Sequence, residues 1–122
     1  MVNPIEITLQ ILTEFLKEDD VLAVMVKSKG MPAISPPINL FKLRDFRIWQ
    51  QINASMEHGI SFLNSFSGAG ADKLYLEIAN YEVIFFVLNQ NAVLVVVVPV
   101  LANRGLIGVQ IENTRRSLKK IL

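Results

Sequence analysis

His58 is the residue whose chemistry would be active near neutral pH, because only histidine has an unperturbed pKa in that range. It is the single histidine of the chain, and the chain contains no cysteine. These counts exclude a multi-histidine metal site, a thiolate metal site and a cysteine nucleophile. No serine nucleophile motif accompanies His58, so we interpret it as a surface or interface residue of a protein that is not an enzyme.

Two glycine-containing segments invite a phosphate-binding interpretation. Residues 67–73 (SGAGADK) lack the Gly-Lys-Ser/Thr ending of a phosphate-binding loop, and they follow a helix where such a loop follows a strand. Residues 105–108 open a helix whose amides could hold an anion, but a tight turn from strand to helix is the simpler interpretation. We therefore expect a helix end with a loop at the first segment and a turn at the second.

Acidic and aromatic residues form the remaining candidate sites. Glu18, Asp19 and Asp20 could ligate a hard cation, but the sequence supplies no further oxygen ligands, so a solvated turn is expected. Phe46 and Trp49 could line a ligand slot, although aromatic residues are more typical of cores and interfaces. We expect no metal and no cofactor.

Basic residues near the end of the chain are not interleaved with aromatic residues that would stack on bases. Twelve Lys and Arg against eleven Asp and Glu give a net charge of +1, so no global field attracts nucleic acid. These features predict no nucleic-acid partner. The basic residues concerned are Arg115, Arg116, Lys119 and Lys120.

Length and composition predict one folded domain over residues 1–122, because 52% of the residues are hydrophobic. The first residues show no basic region of a secretion signal, which predicts a cytoplasmic protein. The apolar stretch 83–101 is interrupted by Asn89-Gln90-Asn91 and ends near Pro99, so we expect two strands around a turn and no membrane span. The mean hydropathy of +0.41 leaves apolar surface for a partner.

The first half of the chain predicts a helix, a hairpin and a long helix. Asn3-Pro4-Ile5-Glu6 has the cap, proline and acid of a helix start. The apolar run 21–26 predicts a buried strand, and a turn at Gly30 leads to a returning strand over 31–35. Pro32 removes a hydrogen-bond donor from this second strand, which places it at a sheet edge.

The long helix is predicted over Leu43–Phe66 and has two apolar stripes, more than one sheet face needs. Asn53 lies among apolar positions, where it could fix the register of a helix seam or be a hydrogen-bonded, half-exposed residue. The surplus stripe indicates a protein partner. The stripes are Phe46, Trp49, Met56, Ile60 and Leu63, and Ile48, Ile52, Phe62 and Phe66.

Three strands and a helix complete the prediction. The alternating segment 73–80 is expected to be half-buried, and the apolar segments 82–88 and 92–100 are expected at the centre of the sheet. A last helix follows Gly105. Its inward residues are predicted to be Ile107, Ile111, Leu118 and Leu122.

This order of elements, together with several segments, resembles the roadblock family, also called the dynein light chain roadblock type. The segments are VMVKSKGMPA at 24–33, the long helix, the three-strand meander and NRGLI at 103–107. The resemblance covers the chain from Ile5 to Leu122. It implies an α+β fold, a three-layer α/β/α sandwich. One five-stranded antiparallel sheet of order 2-1-5-4-3 would carry the long helix on one face and the two terminal helices on the other.

The resemblance also implies a homodimer in which the third strand pairs with its twin and the two long helices lie side by side. That strand carries no proline, and its only lysine is at its first position, so little opposes edge pairing. The implied interface comprises Trp49, Asn53, Met56, Ile60, Leu63, Leu74, Tyr75, Leu76, Glu77 and Ile78.

The function implied by the resemblance is that of an adaptor or regulator that binds a small Ras-like GTPase. The docking residues would be polar side chains of the long helix: Arg44, Arg47, Gln50, Gln51, Glu57 and His58. The alternative is a structural subunit of a heteromeric roadblock scaffold or a motor-associated complex. A small-molecule sensor is a third hypothesis, although no set of residues in the sequence predicts its pocket.

Overall fold

The first helix begins where the capping pattern predicts it. The Asn3 side chain accepts a hydrogen bond from the Ile5 amide at 2.9 Å, and helix α1 spans Pro4–Leu16 with its proline in the first turn. The structure is a computed structural model that describes residues 3–43, 45–65, 70, 72–89, 91–100, 102 and 104–122. Leu12, Phe15 and Leu16 form the buried stripe of α1.

The sheet has four antiparallel strands: β1 (Ala23–Ser28), β2 (Lys73–Ile78), β3 (Tyr81–Asn89) and β4 (Ala92–Pro99). Their spatial order is β1-β4-β3-β2. The two strands with nearly continuous apolar sequence, β3 and β4, are the central ones, as predicted. The half-polar strand β2 lies at one edge, as the resemblance implied.

The predicted fifth strand over residues 31–35 is wrong, because it is reduced to a single bridge between Ile34 and Val26. Ile34 exchanges two hydrogen bonds with Val26, at 2.8 and 2.9 Å. Proline at positions 32, 36 and 37 cannot donate to a ladder, so pairing cannot extend in either direction. The segment therefore lies beside β1 without becoming a strand.

The predicted long helix is divided in two: α2 (Phe46–Ala54) and α3 (Met56–Ser65). It begins three residues later than predicted because Asp45 caps it, accepting the Arg47 amide at 3.0 Å. At Ser55 the backbone leaves the helical region (ψ 3°), and the Ser55 amide is shared between the carbonyls of Gln51 and Ile52. A short 3₁₀ helix, Ile38–Leu40, precedes the pair.

The last helix, α4, spans Arg104–Lys119. Ile107, Ile111 and Leu118 are buried as predicted. Leu122 is not, because it lies beyond the end of the helix and is exposed. In the described parts of the chain, no helix is long and apolar enough to span a membrane.

Strand β4 separates two apolar clusters. Leu94, Val96 and Val98 point to the cluster that contains α1 and α4, whereas Val95 and Val97 point to the cluster under α2 and α3. The alternation follows from the two-residue period of a strand. The sheet is thus the middle layer between two pairs of helices, which fixes α2 and α3 on one face of the molecule.

The turn between β2 and β3 contains a strained residue. Ala79 has φ 54°, a left-handed conformation that costs an L-residue roughly 1–2 kcal/mol. We expect Ala79→Gly to raise the free energy of unfolding by about 0.5–1 kcal/mol, because relief of strain exceeds the entropy that glycine adds to the unfolded chain. Urea denaturation measures this change. Ala54→Gly, at an exposed helical position, is the matched control and should lower stability by about the same amount. A lower urea midpoint for Ala79→Gly would contradict the expectation.

Candidate interaction surfaces

The apolar stripes of α2 and α3 face the sheet. Trp49, Met56, Ile60 and Leu63, which the resemblance assigned to a dimer interface, are buried in the chain's own core. Ile48 and Ile52 of the second stripe are buried in the same cluster. The sheet therefore accounts for both stripes over most of their length, and the surplus apolar surface is smaller than the sequence indicated. Phe66 lies outside the described residues.

Close packing of α3 on the sheet depends on Gly59. A Cβ atom at this position would lie 3.2 Å from the ring of Phe85 on β3. At α2, the ring of Trp49 meets that of Phe41 edge to face, with centroids 4.9 Å apart. These contacts pack α2 and α3 against the rest of the chain, which leaves their polar side facing outward.

Two phenylalanines remain on the exposed side of the helix pair. Phe62 is 53% exposed and Phe46 is 38% exposed. Asn53, for which two interpretations were open, is exposed on α2. An exposed aromatic residue among polar neighbours is typical of a contact surface. Sequence periodicity placed Phe62 in a stripe but could not tell that it would face outward.

The edge strand β2 is the second candidate surface. Within the described residues it pairs with β3 on one side only. Leu74 and Ile78 pack partly on the core beneath α2 and α3, whereas Tyr75, Leu76 and Glu77 are exposed. The outer edge therefore offers backbone hydrogen-bonding groups flanked by apolar side chains.

The proposed docking residues lie on the polar side of α2 and α3. Arg47, Gln50, Gln51, Glu57 and His58 are all exposed. Arg44 lies outside the described residues. Arg47 Nε is 3.3 Å from Asp45 Oδ1, and this hydrogen bond lowers the pKa of the Asp45 carboxyl. The polar residues thus share one helical layer, but two of them, Arg47 and Glu57, already have partners within the chain.

Glu57 connects α3 to the loop that follows β1. Lys27 Nζ lies 2.9 Å from Glu57 Oε1, and the Gly30 amide donates to the same oxygen at 3.4 Å. Lys27 also donates to the Met31 carbonyl. Gly30 has φ 75°, as its predicted turn position requires. The hydrogen bond from Lys27, followed by that from Gly30, lowers the pKa of the Glu57 carboxyl. Glu57 therefore has a structural role that the sequence did not reveal.

Replacing Lys27 should remove the strongest interaction that lowers the pKa of the Glu57 carboxyl. We expect Lys27→Met to raise the pKa of Glu57 toward its ordinary value, as measured by NMR titration. Because the folded-state pKa is the lower one, the pair stabilises the fold above the unfolded-state pKa, and that contribution is lost as pH falls through the folded-state pKa. The free energy of unfolding of Lys27→Met should therefore fall less steeply than that of the wild type as the pH is lowered.

The matched control for this titration is Lys29→Met, because Lys29 acts on Glu57 only through a weaker electrostatic effect. It should move the Glu57 pKa less than Lys27→Met does. An unchanged Glu57 pKa in Lys27→Met would show that the contact does not exist in solution.

Arg115 was predicted to face solvent with the other basic residues of the last helix, but it is largely buried. Its guanidinium donates to the Val87 carbonyl at 3.1 Å, to Glu112 at 3.2 Å and to Asp72 at 3.2 Å. It thereby ties α4 to the sheet. Arg116, Lys119 and Lys120 are exposed, as predicted.

The acidic segment 18–20 and the two glycine-containing segments were the remaining candidate sites. Glu18 accepts a hydrogen bond from the Gln110 side chain at 2.6 Å, and its carbonyl accepts one from Lys42 at 2.7 Å. In the described part of the chain, no group of three potential metal ligands is found. Of the glycine-rich segment, residues 67–69 and 71 lie outside the described residues, and residues 105–108 lie in the first turns of α4.

Solved structures with the same fold cover nearly the whole chain. MglB from Myxococcus xanthus matches 99% of this chain and 91% of its own, with a TM-score of 0.75 at 14% identity. The gliding protein MglB from Thermus thermophilus matches 99% and 92%, with a TM-score of 0.69 at 14% identity. A roadblock/LC7 domain from Streptomyces avermitilis matches 91% and 93%, with a TM-score of 0.62 at 10% identity.

These neighbours define the class: the chain has the roadblock fold, so the resemblance noted in its sequence is confirmed at the level of the fold. Searches against protein-family models and curated proteins find no match.

Proposed function

We propose that the chain is a non-enzymatic, homodimeric adaptor that binds a small Ras-like GTPase in the cytoplasm. The observation that carries this proposal is the roadblock fold over nearly the whole chain. The family that the sequence resembles includes GTPase regulators in which the paired long helices often form part of the docking surface.

The dimer would form through the open edge of β2, which extends the sheet across a two-fold axis. Tyr75 and Leu76 are exposed at this edge and lose water when the strands pair. The exposed Phe62 on α3 would supply an apolar contact between the helices of the two copies. This interface uses Tyr75 and Leu76 of the set that the resemblance implied, adds Phe62, and leaves Trp49 and Met56 in the core.

The GTPase would dock on the polar outer side of the helix pair. Gln50, Gln51 and His58 offer hydrogen-bonding groups there, and Arg47 offers a cation that can exchange its exposed partner Asp45 for a carboxylate of a switch loop. Glu57 contributes indirectly, because it anchors the loop after β1. Its replacement would confuse loss of docking with loss of local structure.

The experiment is affinity capture from extract of the source cells, with GDP and with a non-hydrolysable GTP analogue in parallel. The wild-type chain is expected to retain a small GTPase in only one nucleotide state. A variant carrying Arg47→Ala, Gln51→Ala and His58→Ala should retain at least about tenfold less GTPase than the wild type, because each contact of this kind is worth roughly 1 kcal/mol. The mass of this variant in solution should still be that of the dimer.

The matched control carries three alanines on the opposite face, Gln10→Ala on α1, Asn113→Ala on α4 and Lys120→Ala just after α4, all at exposed positions. It should capture as well as the wild type. Equal capture by both triple variants would overturn the docking surface. Retention of a second roadblock-like chain without nucleotide dependence would overturn the GTPase adaptor in favour of a scaffold subunit.

A further inference from the structure

The loop that follows β1, residues 28–33, lies on the same side of the sheet as α2 and α3. Lys27 comes two residues after Met25, whose side chain packs in the cluster under these helices, and the two-residue period of a strand points both the same way. At the other end of the loop, Ala33 packs against that cluster. The ion pair between Lys27 and Glu57 then joins the loop to the start of α3. The loop is therefore a neighbour of the proposed docking residues.

Backbone hydrogen bonds fix the shape of this loop. The Lys29 amide donates to the Asn91 carbonyl at 2.7 Å, and the Met31 amide donates to the Ser28 carbonyl at 3.1 Å. The amide between them, that of Gly30, donates to the carboxylate at the start of α3 at 3.4 Å. Three consecutive amides thus have acceptors within the protein. A loop held in this way loses little conformational entropy when a partner binds it.

Two side chains extend from this fixed backbone into solvent. Met31 is 56% exposed, whereas Met25 and Met56 are 2% and 1% exposed in the core. An apolar side chain in this position is typical of an anchor that fills a pocket on a partner, and methionine adapts to pockets of different shape because it is unbranched. Lys29, two residues before Met31, is also exposed.

The charge of Lys29 indicates the chemistry of the partner. On this side of the molecule Arg47 pairs with Asp45, and Lys27 pairs with Glu57. Lys29 acts on Glu57 only through a weaker electrostatic effect. One positive charge is therefore in excess among these five groups, and a carboxylate on the partner would offset it.

We propose that Met31 and Lys29 extend the GTPase-docking surface from α3 onto the loop after β1. Met31 inserts into an apolar hollow of the GTPase, and Lys29 pairs with a carboxylate beside that hollow. Lys27 and Glu57 are positioning residues, because they hold the loop against α3. The inference rests on the proposed GTPase adaptor, and it adds an apolar anchor that the polar residues of the helices lack.

The first test compares two replacements of Met31 in the nucleotide-dependent capture described above. Met31→Ser removes the apolar group and should retain at least about tenfold less GTPase than the wild type. Met31→Leu keeps the apolar character and should stay within about threefold of the wild type. Leu40→Ser is the matched control, because Leu40 is 46% exposed and lies beside Thr13 of α1, on the other side of the molecule. It should capture as well as the wild type.

Oxidation of Met31 in the folded chain tests the anchor without replacing a residue. Hydrogen peroxide transfers one oxygen atom to an exposed thioether sulfur, which gives a polar sulfoxide and water. Burial protects Met25 and Met56. Wild-type chain that has been treated with peroxide, then freed of it before capture, should retain as little GTPase as Met31→Ser. The same treatment should leave capture by Met31→Leu unchanged.

The ion pair of Lys29 is tested with salt. Capture by the wild type should weaken as sodium chloride rises from about 50 to about 300 mM, because salt screens exposed charges. Lys29→Met should reduce this salt dependence, since one interfacial charge is lost. Lys17→Met is the matched control, because Lys17 is exposed on the other side of the molecule just after α1. It should keep the salt dependence of the wild type.

Three results would overturn this inference: capture by Met31→Ser equal to that of the wild type, peroxide that weakens capture by Met31→Leu as much as by the wild type, or a salt dependence that Lys29→Met leaves unaltered. In each case the triple variant at Arg47, Gln51 and His58 would still lose capture, so the GTPase adaptor would stand. Absence of a small GTPase from the wild-type capture would overturn both proposals. The two kinds of failure are therefore distinguishable.

Discussion

Met56→Glu is expected to unfold the chain. Met56 is 1% exposed and packs beneath α3 in the cluster that α2 and α3 form with the sheet. A carboxylate there would lose its water without gaining a partner, and the lost methionine would leave unfilled space. We expect a loss of at least about 3–5 kcal/mol, a large part of the 5–15 kcal/mol by which a domain of this size is stable.

Circular dichroism with urea denaturation measures this effect. Met56→Leu is the matched core control and should cost under about 1.5 kcal/mol, because it preserves volume and apolar character. His58→Glu introduces the same charge two residues away at an exposed position and should leave the urea midpoint almost unchanged. A folded Met56→Glu chain with a normal midpoint, found as a monomer, would instead place Met56 at a dimer interface.

Met56 is buried and His58, two residues later, is exposed. This contrast shows what the periodicity of the sequence can establish. The spacing of Trp49, Met56 and Ile60 correctly predicted an apolar stripe on a helix. It did not specify whether the stripe would cover the chain's own sheet or a partner's helix, because both offer an apolar surface. That choice is made by contacts between residues far apart in the sequence, such as the close approach of Gly59 on α3 to Phe85 on β3, 26 positions away.

Strand order was the most predictable feature of the fold. Proline at 32, 36 and 37 placed the segment after β1 at an edge, and the uninterrupted apolar run of β4 placed that strand at the centre. The same prolines also removed the fifth strand, because a chain that lacks amide donors cannot extend a ladder from one bridge. The edge position of this segment was therefore predicted correctly, whereas its assignment as a strand was wrong.

Polar residues with long-range partners were the least predictable. Arg115 looks like a member of a basic, solvated helix end, yet it donates to the Val87 carbonyl and to Asp72, 28 and 43 positions away. Glu82 is the charged residue of the segment 82–88, which was expected at the centre of the sheet, and it is only 7% exposed. Exposure on α2 and α3 was predicted better, since Gln50, Gln51 and His58 face outward as their polarity indicated.

Leu76→Lys is expected to separate the proposed dimer while leaving the chain folded. Leu76 is 40% exposed on the outer strand, so lysine can extend into water in the single chain at little cost. In a symmetric dimer the change occurs twice at one interface. Loss of about 1.5–3 kcal/mol of apolar burial per copy predicts a dissociation constant higher by roughly two to four orders of magnitude.

Sedimentation at micromolar concentration measures the change, and circular dichroism verifies the fold. Val109→Lys is the matched control, because it places lysine at an exposed apolar position of α4, on the other face of the molecule. Val109→Lys should leave the mass in solution unchanged. A Leu76→Lys chain that keeps the wild-type dissociation constant would exclude β2 as the pairing edge. If Val109→Lys dissociates instead, the partner contacts α4, and the terminal helices rather than the edge strand would form the interface.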